Sequence, residues 1–133
     1  MVDEARRAII ALIVKDKKYA QAIKPHLLAE EFVNPVYAKL YADIYEVYQA
    51  EDNIPPARLV SKFETVEEQK MVSKIFSLET SFTEEGDKAV NDRIRIIKAA
   101  YIERMIMLAT EADDLELMRK YGVMLRNMAN SYI

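Results

Sequence analysis

Apolar residues recur along this chain at intervals of three and four, and the spacing continues through almost its whole length. Such a period places apolar side chains on one face of an α-helix, whereas no stretch longer than a few residues alternates as a β-strand would. Only two glycines occur in 133 residues, so few positions favour the positive φ angles of tight β-hairpins. The pattern therefore predicts an all-α fold.

Helix-start signals divide the first part of the chain into several short helices. Asn34 and Pro35 predict the start of an aromatic helix, because an Asn side chain caps backbone N–H groups and Pro suits the first helical position. A capping box is predicted at residues 65–68 and a weaker one at residues 81–84. Residues 1–82 are thus predicted to form a multi-helix bundle subdomain around an aromatic core.

The second part of the chain carries the longest helical pattern. Nothing interrupts helical spacing from about residue 84 to 112, which predicts one long helix, and the Asp113-Asp114 pair predicts a turn before a last helix. Residues 83–133 are therefore predicted to form a long helix and a C-terminal antiparallel helical hairpin. Two helices that pair only with each other have little core, so the hairpin must lean on the bundle or on another protein.

The last helix carries a coiled-coil-like seam at spacings of three and four residues: Met118, Tyr121, Leu125, Met128 and Tyr132. Just before it, apolar side chains cover most of the helix circumference at residues 101–109. One partner helix shelters only one stripe, so the remainder needs another surface. We interpret the five seam residues as candidate partner-binding residues, some of which are expected to close the hairpin on itself.

The composition removes several kinds of site. Cysteine is absent, which excludes disulfides, thiolate zinc sites, iron–sulfur clusters and thiol catalysis. His26 is the only histidine, and no Ser or carboxylate pattern marks a catalytic partner for it. Paired acids at residues 30–31, 67–68, 84–85 and 113–114 lie at predicted helix starts, where they favour the helix dipole, so capping explains them better than a metal site. We predict no catalytic site, no cofactor and no metal.

The formal net charge of −3 makes nucleic acid a poor primary ligand, because neutralising phosphates usually needs a basic surplus. A single-stranded nucleic-acid-binding helical module remains an alternative. It would use four tyrosines of the aromatic helix and three basic residues of the predicted long helix: Tyr37, Tyr41, Tyr45, Tyr48, Arg93, Arg95 and Lys98. No apolar run approaches the ~20 residues of a membrane span, and no signal pattern opens the chain. We expect a cytoplasmic protein with no membrane partner.

Two blocks of sequence are typical of one known family. Residues 4–13 read Glu-Ala-Arg-Arg-Ala-Ile-Ile-Ala-Leu-Ile, and the helix they predict ends at Lys15 and Asp16. Residues 27–37 read Leu-Leu-Ala-Glu-Glu-Phe-Val-Asn-Pro-Val-Tyr and lead into the aromatic helix. With the capping-box helix and the terminal hairpin that follow in order, the chain resembles the C-terminal, helicase-interacting domain of bacterial DnaG-type primases. The resemblance spans nearly the whole chain, although its motifs are hydrophobic patterns.

The resemblance implies a helical bundle joined through a long helix to a helical hairpin that is a principal contact for its partner. In that family the domain is part of a primase, a DNA-directed RNA polymerase that acts in DNA replication as a member of the primosome. It binds the N-terminal region of the replicative hexameric helicase, recruits the primase to the fork and stimulates the helicase, reaching nucleic acid only indirectly. The catalytic centre and the zinc module of a primase are absent from this chain.

An alternative resemblance is to the N-terminal domain of the replicative helicase itself, because the two folds are related. That version typically carries a glycine where Ala11 stands, and a Gly-rich stretch before its hairpin. Here residues 77–87 contain only Gly86, so the primase domain is the better match.

Overall fold

The computed structural model describes residues 1–78 and 86–133, and within them the regular structure is all helical, with no β-strand. This confirms the predicted all-α fold class. Seven α-helices follow one another, with a 3₁₀ turn (Ala29–Phe32) between the second and the third: α1 (Val2–Lys15), α2 (Lys17–Ile23), α3 (Pro35–Tyr48), α4 (Pro56–Val60), α5 (Val66–Phe76), α6 (Asp87–Glu111) and α7 (Leu115–Arg126). None of these helices combines the length and apolar character needed to cross a bilayer.

The starts of two helices confirm the capping signals read from the sequence. The Asn34 side chain accepts hydrogen bonds from the backbone N–H groups of Val36 and Tyr37, at 2.9 and 3.4 Å. The Thr65 hydroxyl accepts from the Glu68 backbone N–H at 3.1 Å while the Glu68 carboxylate accepts in return. The weaker box predicted at residues 81–84 lies outside the described residues.

The tyrosines of α3 fasten this helix to the helices that precede it. The Tyr41 hydroxyl donates to the Leu27 carbonyl at 2.8 Å, and the Tyr45 hydroxyl donates to the Ala20 carbonyl of α2 at 2.7 Å. Tyr48 donates to the Ile13 carbonyl of α1 at 2.6 Å. Each phenol therefore places its ring among apolar neighbours and gives its hydroxyl a carbonyl acceptor near a helix end.

Helix α1 lies at the centre of the bundle and packs against α2, α3, α5 and α6. Seven of its residues are buried. The same core takes in Val90, Ile94 and Ile97 from the first half of α6, and Tyr132 and Ile133 pack against it from the end of the chain. The packing thus does not follow the predicted division into residues 1–82 and 83–133, because the core boundary falls within α6.

Candidate partner-binding surface

The hairpin is formed by the second half of α6, a short turn and α7. Helix α6 ends in a Schellman motif, in which Asp114 N–H bonds to the Ala109 carbonyl at 2.9 Å and Asp113 N–H to the Thr110 carbonyl at 3.1 Å. The Asp114 side chain then caps α7 by accepting from the Leu117 N–H at 3.1 Å. The predicted turn at the Asp pair is confirmed, and its hydrogen bonds turn the chain back along α6.

Helix α7 packs mainly on α6. No other helix of the described residues contacts α7 to a comparable extent. None of the twelve residues of α7 is buried, although seven of them carry apolar or aromatic side chains. In the part of α6 that lies outside the bundle core, Ile102 and Ala109 are buried. The hairpin therefore has a thin interior of its own and projects most of its surface to solvent.

The five predicted seam residues are all half-buried. Burial raises the pKa of Tyr101 on α6, and Glu30 and then the Tyr121 phenol of α7 add to this rise. Tyr121 thus places the half-buried side of α7 against α6. Met128 and Tyr132 lie beyond the end of α7 at Arg126, so the seam does not continue as one helical stripe, contrary to the sequence pattern.

Six other apolar side chains of the hairpin are exposed, and they were not among the predicted site residues. Their exposed fractions run from 38% for Leu117 to 70% for Leu115, and they are six of the ten large apolar side chains exposed in the described residues. We call them the apolar hairpin surface: Met107, Leu108, Leu115, Leu117, Val123 and Met124. This surface is more exposed to solvent than the half-buried seam.

The position of Leu108 explains why part of this surface is uncovered. Val90, Ile94 and Ile97 follow one another at helical spacing on the side of α6 that enters the bundle core. Tyr101 and Leu108 continue the same stripe four and eleven residues after Ile97. Because Leu108 lies beyond the end of the bundle, it is 40% exposed and meets no core.

The end of the chain returns from the hairpin to the bundle. Asn91, 7% exposed, accepts with its side-chain oxygen from the backbone N–H groups of Tyr132 and Ile133, at 2.7 and 3.0 Å. Its amide nitrogen donates to the Ser131 hydroxyl at 3.4 Å. The Tyr132 ring meets the His26 ring edge-on, with centroids 5.8 Å apart. We call residues 131–133 with Asn91 the tail anchor, because these bonds fix the C-terminal end of the hairpin to the start of α6.

Replacing Asn91 with Leu is expected to release the tail anchor. The variant keeps a side chain of similar size but loses three hydrogen bonds, and each is worth about 1 kcal/mol. Hydrogen–deuterium exchange should therefore become faster in α7 and in residues 127–133, while α1 and α3 keep their protection. Asn127→Leu, at an exposed position just after α7, is the control. Unchanged exchange in α7 of the Asn91 variant would contradict the anchoring role.

The tyrosines proposed for nucleic-acid stacking are not presented on the surface. Tyr37, Tyr41 and Tyr48 are buried, and the half-buried Tyr45 donates its hydroxyl to the bundle. Of the basic residues, Arg93 pairs with Glu4, Lys98 pairs with Glu31 and Arg95 is exposed. The structure therefore does not bring these seven residues into one stacking surface.

The residues considered for chemistry have structural partners. His26 is half-buried against Tyr132, Glu31 accepts the Leu28 N–H at 2.9 Å, and Glu68 and Asp114 cap helices, as predicted for the acidic pairs. The pair at residues 84–85 lies outside the described residues. Across residues 1–78 and 86–133, no three acidic or histidine side chains come together as metal ligands would.

The projecting apolar hairpin is the most exposed apolar part of the described residues. No family model, curated protein or solved structure matches the chain.

Proposed function

We propose that this chain is a non-catalytic interaction domain of a bacterial DnaG-type primase that binds the N-terminal region of the replicative hexameric helicase. In this proposal it acts in the cytoplasm, recruits primase to the fork and stimulates the helicase. One observation carries it: α7 contributes no buried residue, while six large apolar side chains of the hairpin are exposed. A concentration of exposed apolar side chains in one part of a molecule is typical of protein-binding surfaces.

The order of elements supports the same proposal. A short-helix bundle comes first, then a long helix shared between bundle and hairpin, then the returning helix α7, which is the order that the primase resemblance implies. Burial of the apolar hairpin surface by a partner would be favourable by about 25 cal/mol per Å². That gain must exceed the cost of association, so several of the six side chains have to be buried together.

The test is a binding titration with the helicase N-terminal region of the same source. Replacing Leu117 and Met124 with Ser removes two exposed apolar side chains without entering a core. We expect the affinity to fall by about 30-fold or more, because truncating two central contacts costs about 1 kcal/mol or more each. Isothermal titration calorimetry measures the change, and circular dichroism verifies that helix content is kept.

A matched control comes from the bundle. Val66 at the start of α5 is 66% exposed, so Val66→Ser removes a comparable apolar surface away from the hairpin. This variant should bind the helicase region as the unmodified chain does. Equal losses for the Val66 and the Leu117/Met124 variants, or no binding by the unmodified chain, would contradict the proposal.

A further inference from the structure

Apart from one exposed charge of each sign on α6, Glu103 and Arg104, the charges of the hairpin are segregated along its length. Four carboxylates lie at its tip, where α6 ends and α7 begins: Glu111, Asp113, Asp114 and Glu116. The remainder of α7 carries only basic charges: Arg119, Lys120 and Arg126. All of these residues except the half-buried Asp114 are exposed. The apolar hairpin surface is thus flanked by an acidic tip and a basic half, which we call the charge gradient.

The helix dipole accounts for only part of this arrangement. Acidic groups at the start of α7 and Arg126 in its last turn favour the dipole. Glu111 lies in the last turn of α6, where the dipole disfavours a negative charge. Asp113 occupies, at φ +57°, the left-handed position after α6 in which glycine is the usual residue. The acidic tip therefore extends to positions where the fold itself favours other residues.

The hairpin charges, like many exposed charges of the bundle, have no ion-pair partner among the described residues. Within residues 1–78 and 86–133, the observed ion pairs join charges of α1 to α4, the 3₁₀ turn, the α3–α4 loop and the first half of α6. None of the seven gradient residues forms one in that part of the chain. Their charge is thus available to an approaching molecule.

We propose that the hairpin binds a folded partner protein in one orientation, which the charge gradient sets. The partner's docking surface is apolar, with basic groups that meet the acidic tip and acidic groups that meet Arg119 and Lys120. This inference rests on the proposed function and adds to it the chemistry of the partner's surface. Opposed charges in such an interface steer the encounter and reject the reversed orientation.

Charge complementarity favours this partner over a nucleic acid or an anionic membrane. Either of those presents negative charge along its whole length, so the acidic tip would be repelled wherever the basic half was attracted. A folded protein surface can carry both signs in the matching order. The two cases therefore predict opposite responses when the tip is changed.

The experiment compares two double variants and uses the helicase N-terminal region as the probe. The tip variant is Glu111→Lys with Glu116→Lys, which leaves the capping residue Asp114 in place. The other is Arg119→Glu with Lys120→Glu. We expect both to lower the association rate constant by ~10-fold at low salt, with smaller effects at high salt. Stopped-flow fluorescence over a salt series measures the rate constants.

Matched controls carry the same change of charge on exposed residues of the bundle. Glu46→Lys with Glu64→Lys controls for the tip variant, and Lys70→Glu with Lys74→Glu controls for the other. At low salt both controls should change the association rate constant much less than the gradient variants do. At physiological salt both should associate within about twofold of the unmodified chain, because surface charges far from an interface are then screened.

The outcomes separate this inference from the function on which it rests. Faster association of the tip variant with slower association of the Arg119/Lys120 variant would show a uniformly acidic ligand and overturn the inference. So would unchanged rates in both variants, even if Leu117→Ser with Met124→Ser still abolishes binding. Dimerisation of the unmodified chain in sedimentation velocity, lost in both charge variants, would identify a second copy as the occupant. Failure of the unmodified chain to bind the helicase region overturns both proposals.

Discussion

Raising the pH above 10 is expected to unfold this protein cooperatively. Burial raises the pKa of Tyr45 to about 12 and raises the pKa values of Tyr37, Tyr41 and Tyr48 above their ordinary value of 10.0. In the unfolded chain the same phenols ionise near pH 10. Above that pH the unfolded state therefore binds fewer protons than the folded state, and the free energy of unfolding decreases as the pH rises.

The expected effect is large because three buried phenols and the half-buried Tyr45 act together. Their contribution to stability is constant below about pH 9, and each phenol removes at most about 1.4 kcal/mol per pH unit between pH 10 and its own folded pKa. For Tyr45 the loss continues until its folded pKa of about 12. Far-ultraviolet circular dichroism and tyrosinate absorbance should thus change together in one step.

Tyr45→Phe is the control for this pH dependence. It removes one ionisable group and should make the loss of stability above pH 10 less steep. It also loses the hydroxyl bond to the Ala20 carbonyl, which costs about 1 kcal/mol at neutral pH. Gradual ionisation of all eight tyrosines near pH 10, with helix content retained, would contradict the prediction.

Replacing Lys98 with Met is expected to lower the free energy of unfolding by about 3 kcal/mol. The Lys98 ammonium donates to the two Glu31 oxygens at 2.8 and 3.2 Å and to the His26 carbonyl at 2.7 Å. Glu31 is only 7% exposed, so the variant leaves a buried carboxylate without its counter-charge. Urea denaturation measures the loss as a lower midpoint at an unchanged slope.

Two further variants separate the buried charge from a general effect of removing a lysine. Lys17 pairs with Asp52, whose side chain is 89% exposed, so Lys17→Met should cost at most about 1 kcal/mol. Adding Glu31→Gln to Lys98→Met removes the unpaired charge and should recover part of the lost stability. Equal losses for the two lysine variants, or no recovery, would contradict this account.

Local signals predicted much of this fold. The Asn34 cap, the capping box at Thr65 and the turn at Asp113 and Asp114 depend on neighbouring residues in the sequence, and the structure has all three. Phe32 is fully buried. The γ-turn centred on Val33, which follows it, was not predicted. Val33 adopts φ +63° there, which a β-branched residue rarely does, so no sequence preference indicates it.

The surface of the hairpin could be predicted only in part. A period of three and four residues identifies a seam, but which side stays exposed depends on where the bundle ends along α6. Leu108 shows this, because its stripe is buried at Ile97 and exposed eleven residues later. The tail anchor joins Asn91 to residues 40 to 42 positions further along the chain, and no local pattern encodes a contact over that separation.

The tail anchor has a mechanical consequence. Because residues 131–133 are bonded to Asn91 near the start of α6, α7 is attached to the rest of the molecule at both of its ends. A pulling force applied to α7 by a moving partner is then divided between the turn at Asp113 and the bonds to Asn91. Because both attachments must break before α7 separates from α6, α7 resists such a force better than a helix attached at one end.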